Sequence, residues 1–148
     1  IRISELVADV DRSLIDSGKT LSVTFDGDAV VLYDRGLLNS AIGNLVGNAS
    51  RFAKNEVLIS SVLEDGVVSL HVDDDGPGVP KEYREIIFEP FSRLDNSKLE
   101  HKNGVGLGLA IVQRAVENCG GEVSVSSSPV GGARFTVRLP VLKQEARG

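Results

Sequence analysis

Val67-Val-Ser-Leu-His-Val-Asp-Asp-Asp-Gly-Pro-Gly78 decides how this chain is read. By the two-residue period of a strand, Val68, Leu70 and Val72 share one face, and the next residue in that row is Asp74. A buried row that ends in a carboxylate costs several kcal/mol by order of magnitude unless something donates hydrogen bonds to it, so a ligand or a structural water is expected there. Gly76 and Gly78 follow at once and, lacking Cβ atoms, let a flat ligand approach the main chain. Adenine offers an exocyclic amine as donor to the carboxylate, whereas guanine presents a carbonyl oxygen there and would meet it acceptor to acceptor. Asp74 is therefore read as an adenine reader; the competing reading is an acidic turn, for which Asp and Gly are the usual residues.

Two further segments favour the ligand. Asp34 to Ala53 reads as an amphipathic helix opened by Asp34 as N-cap, with Leu38, Ala41, Ile42, Leu45, Val46, Ala49, Phe52 and Ala53 on the core side. Asn44 and Asn48 lie four apart on the other side, with Arg51 close to one turn further on. Asn is a middling helix former, so two in mid-helix need a use. Their amide oxygens suit Mg²⁺, a hard ion that takes one or two protein oxygens besides substrate phosphates, and Arg51 would neutralise phosphate charge. The plainer alternative is a solvated polar face. Further on, Gly104-Val-Gly-Leu-Gly-Leu109 feeds a helical pattern through Ala110, Ile111, Val112, Ala115 and Val116. A glycine-rich turn at a helix start presents free N–H groups to phosphates, though no Gly-Lys-Ser/Thr follows to make it a P-loop; close helix packing is the alternative use.

In sequence order these residues resemble the catalytic and ATP-binding domain of bacterial sensor histidine kinases, within the wider group that includes gyrase, Hsp90 and MutL. Asn44-Leu-Val-Gly-Asn48-Ala-Ser-Arg51-Phe52 is similar to that family's N box, Asp74-Asp-Gly76-Pro-Gly78 to its G1 box, Phe88-Glu-Pro-Phe91-Ser-Arg93 to its F box and Gly104-Val-Gly106-Leu-Gly108-Leu to its G2 box. The resemblance runs from about Ser4 to Leu139. It implies ATP and Mg²⁺ as ligands, with the chief metal ligand at Asn48, Asn44 beside it, and the adenine carboxylate at Asp74. It assigns the catalytic positions to Asn44, Asn48 and Arg51. Phe52, Gly76, Gly78, Val79, Phe88, Lys102, Gly104, Val105, Gly106, Leu107, Gly108 and Leu109 are implied to flank the nucleotide.

Phe52 stands where the family often has Tyr, and the run from Lys98 to Asn103 is short. In hydrolytic relatives a Glu occupies the place of Asn44 and activates water; an amide cannot act as a base, which favours transfer to a partner. The implied partners are a histidine-bearing dimerisation domain of the same parent and a response regulator. Two alternatives stay open: a regulatory nucleotide-binding module of a phosphatase-dominant or degenerate sensor, and a self-sufficient ATPase of this superfamily.

Composition fits one domain. The 148 residues are 41% hydrophobic, enough for a single core. A net charge of −5 and few aromatics argue against a broad nucleic-acid surface. No apolar run reaches the roughly 20 residues needed to cross a bilayer, so the chain is expected to be soluble and cytoplasmic; the resemblance implies a parent anchored in the bacterial inner membrane, with no direct membrane contact by this domain. The absence of Met suggests a fragment of a longer protein. Cys119 is alone and reads as a small apolar residue. His71 shares a strand face with Ser69 and Asp73 and is expected to face solvent; His101 either touches a phosphate or is an exposed loop residue; neither is expected to accept the phosphoryl group.

The expected elements are a helix from Ser4 to Ile15, strands at Leu21 to Phe25 and Ala29 to Leu32, and the Asn-bearing helix. A hairpin joins Val57 to Leu63 and Val67 to Asp73 through Glu64-Asp65-Gly66. A candidate ATP lid spans 79–103 with a short helix around Lys81 to Ile87. A helix from Gly108 to Asn118 and strands at Glu122 to Ser127 and Ala133 to Leu139 follow. Phe88 and Phe91 either anchor the lid, cover a contact with the helical domain, or belong to the core. The fold class is α+β: a two-layer sandwich whose mostly antiparallel mixed sheet is covered on one face by helices. The ATP-binding domain is drawn at 1–140, and 141–148 is expected to be a frayed tail.

Overall fold

The computed structural model of the chain describes residues 2–8, 10, 15, 18–26, 29–31, 34–89, 108–141 and 143–144. Its elements are α1 (Ile3–Ala8), β1 (Thr20–Asp26), β2 (Ala29–Val30), α2 (Arg35–Phe52), β3 (Glu56–Glu64), β4 (Val67–Asp74), α3 (Gly108–Asn118), β5 (Glu122–Ser127), β6 (Ala133–Pro140) and β7 (Lys143–Gln144). Five strands form one sheet in the order β1-β3-β4-β6-β5, in which β1 and β3 run parallel and every other pair is antiparallel. The helices cover one face, with α2 and α3 packed on each other and against the sheet. The expected mixed α+β sandwich is the observed one.

Alternation builds the core. Val57, Ile59 and Leu63 of β3, Val68, Leu70 and Val72 of β4, and Ala133, Phe135, Val137 and Leu139 of β6 point inward and are buried. From α2 they meet Leu38, Ala41, Ile42, Leu45, Val46 and Ala49, with Ala53 just beyond, the apolar stripe read from the sequence except for Phe52, which is only half-buried. Asp34 caps α2 as expected, Oδ1 accepting from the Leu37 N–H at 3.0 Å. At the β3–β4 hairpin Asp65 and Gly66 take φ of 52° and 76°, the left-handed pair that an Asp-Gly two-residue turn favours.

Four expectations are corrected. The first helix is described only from Ile3 to Ala8, and Val10 lies beyond it, its N–H bonded to the Val7 carbonyl at 3.1 Å. Ile3, Leu6, Val7 and Val10 keep helical spacing past the point where the helix has closed on a tighter turn. Lys81 to Ile87 is no single helix but two 3-10 turns, Lys81–Tyr83 and Ile86–Phe88, closed by i to i+3 bonds. The tail from Val141 is not wholly frayed, since β7 pairs antiparallel with β2, while 145–148 lie outside the described residues. The face carrying Ser69, His71 and Asp73 is also less open than alternation suggests. Arg134 forks onto Asp73 at 2.8 and 3.0 Å and leaves that carboxylate 3% exposed. His71 is half-buried, its Nδ1 2.9 Å from Thr136 Oγ1. Burial, then the Arg134 charge, lowers the His71 pKa, opposed by Asp73.

Candidate functional site

At the C-terminal end of β4 the inward row that begins with Val68 ends in Asp74, only 2% exposed. Val57 of β3 stands opposite it, and β6 lies on its other side. Asp74 Oδ1 accepts from the Gly76 N–H at 2.9 Å and the Ala133 N–H at 3.3 Å. No described residue donates to Oδ2. Burial raises the Asp74 pKa, the Gly76 and Ala133 amides oppose this, and the neighbouring Asp75 and Asp73 charges add to the rise. The result is a buried carboxylate with one oxygen held by two amides and the other without a donor among the described residues.

Glycines make the surroundings tight. A Cβ on Gly76 would overlap the Phe52 carbonyl oxygen and lie 2.9 Å from its carbon, so the turn after β4 rests directly on the C-terminal end of α2. A Cβ on Gly132 would overlap both Asp74 Oδ1 and the Asp74 carbonyl oxygen and lie 2.6 Å from Gly76 N. Gly78 sits at φ 80°, where an added Cβ would come into ordinary contact with Gly132, and Val79 packs against the core.

On α2, Asn44 Nδ2 donates to the Ser40 carbonyl at 2.9 Å, and Asn48 Oδ1 accepts from Arg51 Nη2 at 3.1 Å. The Arg51 guanidinium lies 5.6 Å from the centre of the Phe52 ring. A Cβ on Gly108 would lie 3.4 Å from Asn44 Oδ1, so the N-terminus of α3 abuts the Asn strip. Three segments distant in sequence therefore meet: the end of α2 touches the turn carrying Gly76, and the Asn strip touches the start of α3. Leu109 is partly buried against the core. Phe88 is core, 4% exposed and edge-on to Phe135 with ring centres 6.1 Å apart. Lys102, Gly104, Val105, Gly106 and Leu107, together with Phe91 and His101, lie outside the described residues.

Reading the sequence missed Gly132 and Ala133. Their segment registers as a hairpin turn, but only Gly131, at φ 108°, needs a glycine for the turn itself. Gly132 shows no such φ, so the redundancy of the Gly131-Gly132 pair was the available signal that the second glycine serves a close approach. Cys119 is buried as expected, with burial and then Asp34 raising its thiol pKa. Among the described residues no three His, Cys, Asp or Glu side chains gather in a way that could hold a metal, and no helix is long and apolar enough to cross a membrane.

Residues 33–143 match the family described as histidine kinase-, DNA gyrase B- and HSP90-like ATPase. The sensor histidine kinase CpxA of Escherichia coli K12 is 40% identical over 128 residues, 86% of this chain and 28% of that protein. RstB, a sensor protein of the same organism, is 38% identical over 139 residues, 94% of this chain and 32% of that protein. The chain thus spans about a third or less of the length of these relatives. Among solved structures, the mycobacterial sensor histidine kinase MprB superposes with TM-score 0.79 at 27% identity, covering 97% of both chains. The ATP-binding domain of PrrB from Mycobacterium tuberculosis gives 0.76 at 29%, covering 95% of both. With a carboxylate closing the inward row of β4, an Asn strip on α2 and this match over most of its length, the chain belongs to the histidine kinase-, gyrase B- and HSP90-like ATPase family, as an ATP-binding catalytic domain of the sensor histidine kinase type.

Proposed function

We propose that this domain holds Mg–ATP with its γ-phosphoryl group facing outward, toward a histidine on a separate helical domain of the same parent, from which the group passes to an aspartate on a response regulator. The observation that carries the reading is the half-satisfied Asp74: Oδ1 is held by the Gly76 and Ala133 amides, and Oδ2 is left for the adenine amine. Gly76 and Gly132 let the main chain close directly on Asp74, which fixes the carboxylate that would meet the base. Gly78, Val79 and Phe52 line the approach.

Asn48, with Asn44 a turn away, offers the amide oxygens that would hold Mg²⁺, which when bound neutralises phosphate charge. Arg51 donates to the Asn48 oxygen at 3.1 Å, so the amide that would hold the cation and the guanidinium that would neutralise phosphate charge lie side by side. Gly108 and Leu109, at the N-terminus of α3, offer amide donors and the positive helix end to the phosphates, and Lys102 with Gly104 to Leu107 is proposed to complete that cradle. Transfer then rests on positioning and charge neutralisation, with an amide at position 44 that cannot act as a general base. The parent is proposed to be anchored in the bacterial inner membrane, with this domain on the cytoplasmic side.

The test mixes the domain with its parent's histidine-bearing helices and γ-labelled ATP. Label on the histidine is the expected result. Free phosphate alone would identify an ATPase, and tight binding with neither product a regulatory module.

A further inference from the structure

Asp75, between the adenine reader and the close-packed Gly76, takes no part in the proposed nucleotide contacts, yet its carboxylate accepts more of the described hydrogen bonds than that of Asp73 or Asp74. Its Oδ1 accepts from three successive amides, Lys54 N at 2.7 Å, Asn55 N at 3.0 Å and Glu56 N at 3.3 Å, and Oδ2 lies 3.1 Å from Asn55 N. The turn between α2 and β3 is thus wrapped around one side chain of the turn after β4. Partial burial would raise its pKa, but the amides of Asn55, Glu56 and Lys54 outweigh this and hold the carboxyl below its ordinary value.

We propose that Asp75 is a positioning residue that fixes the distance between the adenine half of the site, on β4, and the phosphate and metal half, on α2. The inference rests on the reading of Asp74, Asn48 and Arg51 given above. Asp75 is the neighbour of Asp74, and the amides it grips begin three residues after Arg51. Gly76, pressed on the Phe52 carbonyl, makes a second contact between the same two turns. Each alone would act as a pivot; two side by side resist both sliding and rotation. A ligand that spans both halves senses their spacing, because reacting and anchoring groups tolerate displacements of well under 1 Å. A ligand that touches one half alone does not. Core packing between α2 and β4 also joins the halves, and the experiment separates the two causes.

The probes are adenosine, which reaches only the adenine half, and Mg–ATP, which spans both, titrated into the wild-type chain, Asp75→Ala and Asp75→Asn by NMR or calorimetry well below each unfolding midpoint. The expected result is a loss of Mg–ATP affinity of about tenfold in Asp75→Ala, with adenosine affinity changed by less than about twofold. Asp75→Asn keeps an amide oxygen that accepts from the same N–H groups and is expected to restore most of the difference. Should the alanine variant not fold, Asp75→Ser, which keeps one acceptor, is expected to give an intermediate ratio of the two affinities. An unchanged ratio in the variants overturns the proposal even where their midpoints fall, because it leaves Asp75 a purely structural staple and core packing as the spacer. An equal loss for both ligands also overturns it, placing the effect on Asp74 alone. A wild-type chain that binds neither ligand removes the nucleotide reading itself, and this inference with it.

Discussion

Gly132→Ala isolates the close approach of the β5–β6 hairpin to Asp74. A Cβ there overlaps Asp74 Oδ1 and the Asp74 carbonyl oxygen and lies 2.6 Å from Gly76 N. None of these is the end of a flexible side chain: two are backbone atoms, and Oδ1 is held by two amides. The start of β6 must therefore draw away from β4. Overpacking of this kind costs about 1–3 kcal/mol, and losing the Ala133 N–H bond to a carboxylate adds about 1.5–3 kcal/mol. At about 2–4 °C per kcal/mol for a chain of this size, the unfolding midpoint falls by roughly 5–25 °C. Displacing Asp74 also removes its bond to the base, so ATP affinity falls by on the order of tenfold or more. Scanning calorimetry gives the midpoint, and isothermal titration below it gives the affinity. Gly131→Ala is the control: its Cβ meets nothing within 4 Å but must adopt φ 108°, so stability falls while affinity holds. A Gly132→Ala protein that melts within about 1 °C of wild type and binds ATP equally well would refute the reasoning.

Other expectations follow from the same geometry. Asn48→Ala abolishes the gain in ATP affinity on adding Mg²⁺, read by titrations with and without the metal; a gain equal to that of wild type would reject Asn48 as ligand. Arg134→Met leaves Asp73 buried without its forked partner, and because Arg134 is partly exposed the loss is set at up to about 3 kcal/mol, at the low end for a broken buried pair. Denaturant unfolding measures it. Adenosine affinity weakens with acid: the Asp74 pKa is raised, only the ionised group offers Oδ2 as a bare acceptor, and so the loss begins at a pH above the ordinary carboxylate value of 3.8. Asp74→Asn, which does not titrate, is expected to bind adenosine weakly and without that pH dependence.

Much of this was legible because the signals are local. Strand parity alone carries Val68, Leu70, Val72 and Asp74 to one face, and the structure buries all four. The stripe on α2, its Asp34 cap and the Asp65-Gly66 turn are each decided within a few residues of themselves. What escaped depends on register between distant segments. Asp73 is buried because β6 sets Arg134 opposite it, and Gly132 presses on Asp74 through the same pairing, a fact that no local pattern encodes. Asp75 looks like any turn aspartate until the α2–β3 turn is seen folded around it. The short strand β7 pairs with β2, far earlier in the sequence, and no local pattern encodes that pairing either. For α1 the difficulty is different, since Val10 keeps helical spacing with Ile3, Leu6 and Val7 while packing from outside the helix.

The central claim is that Asp74 recognises the amine of adenine, and the position of the base in a crystal structure of this domain with Mg–ATP tests it most directly. The account predicts the exocyclic nitrogen about 3 Å from Asp74 Oδ2, with Oδ1 still on the amides of Gly76 and Ala133. A base seated elsewhere, with Oδ2 bonded only to water or protein, would contradict it.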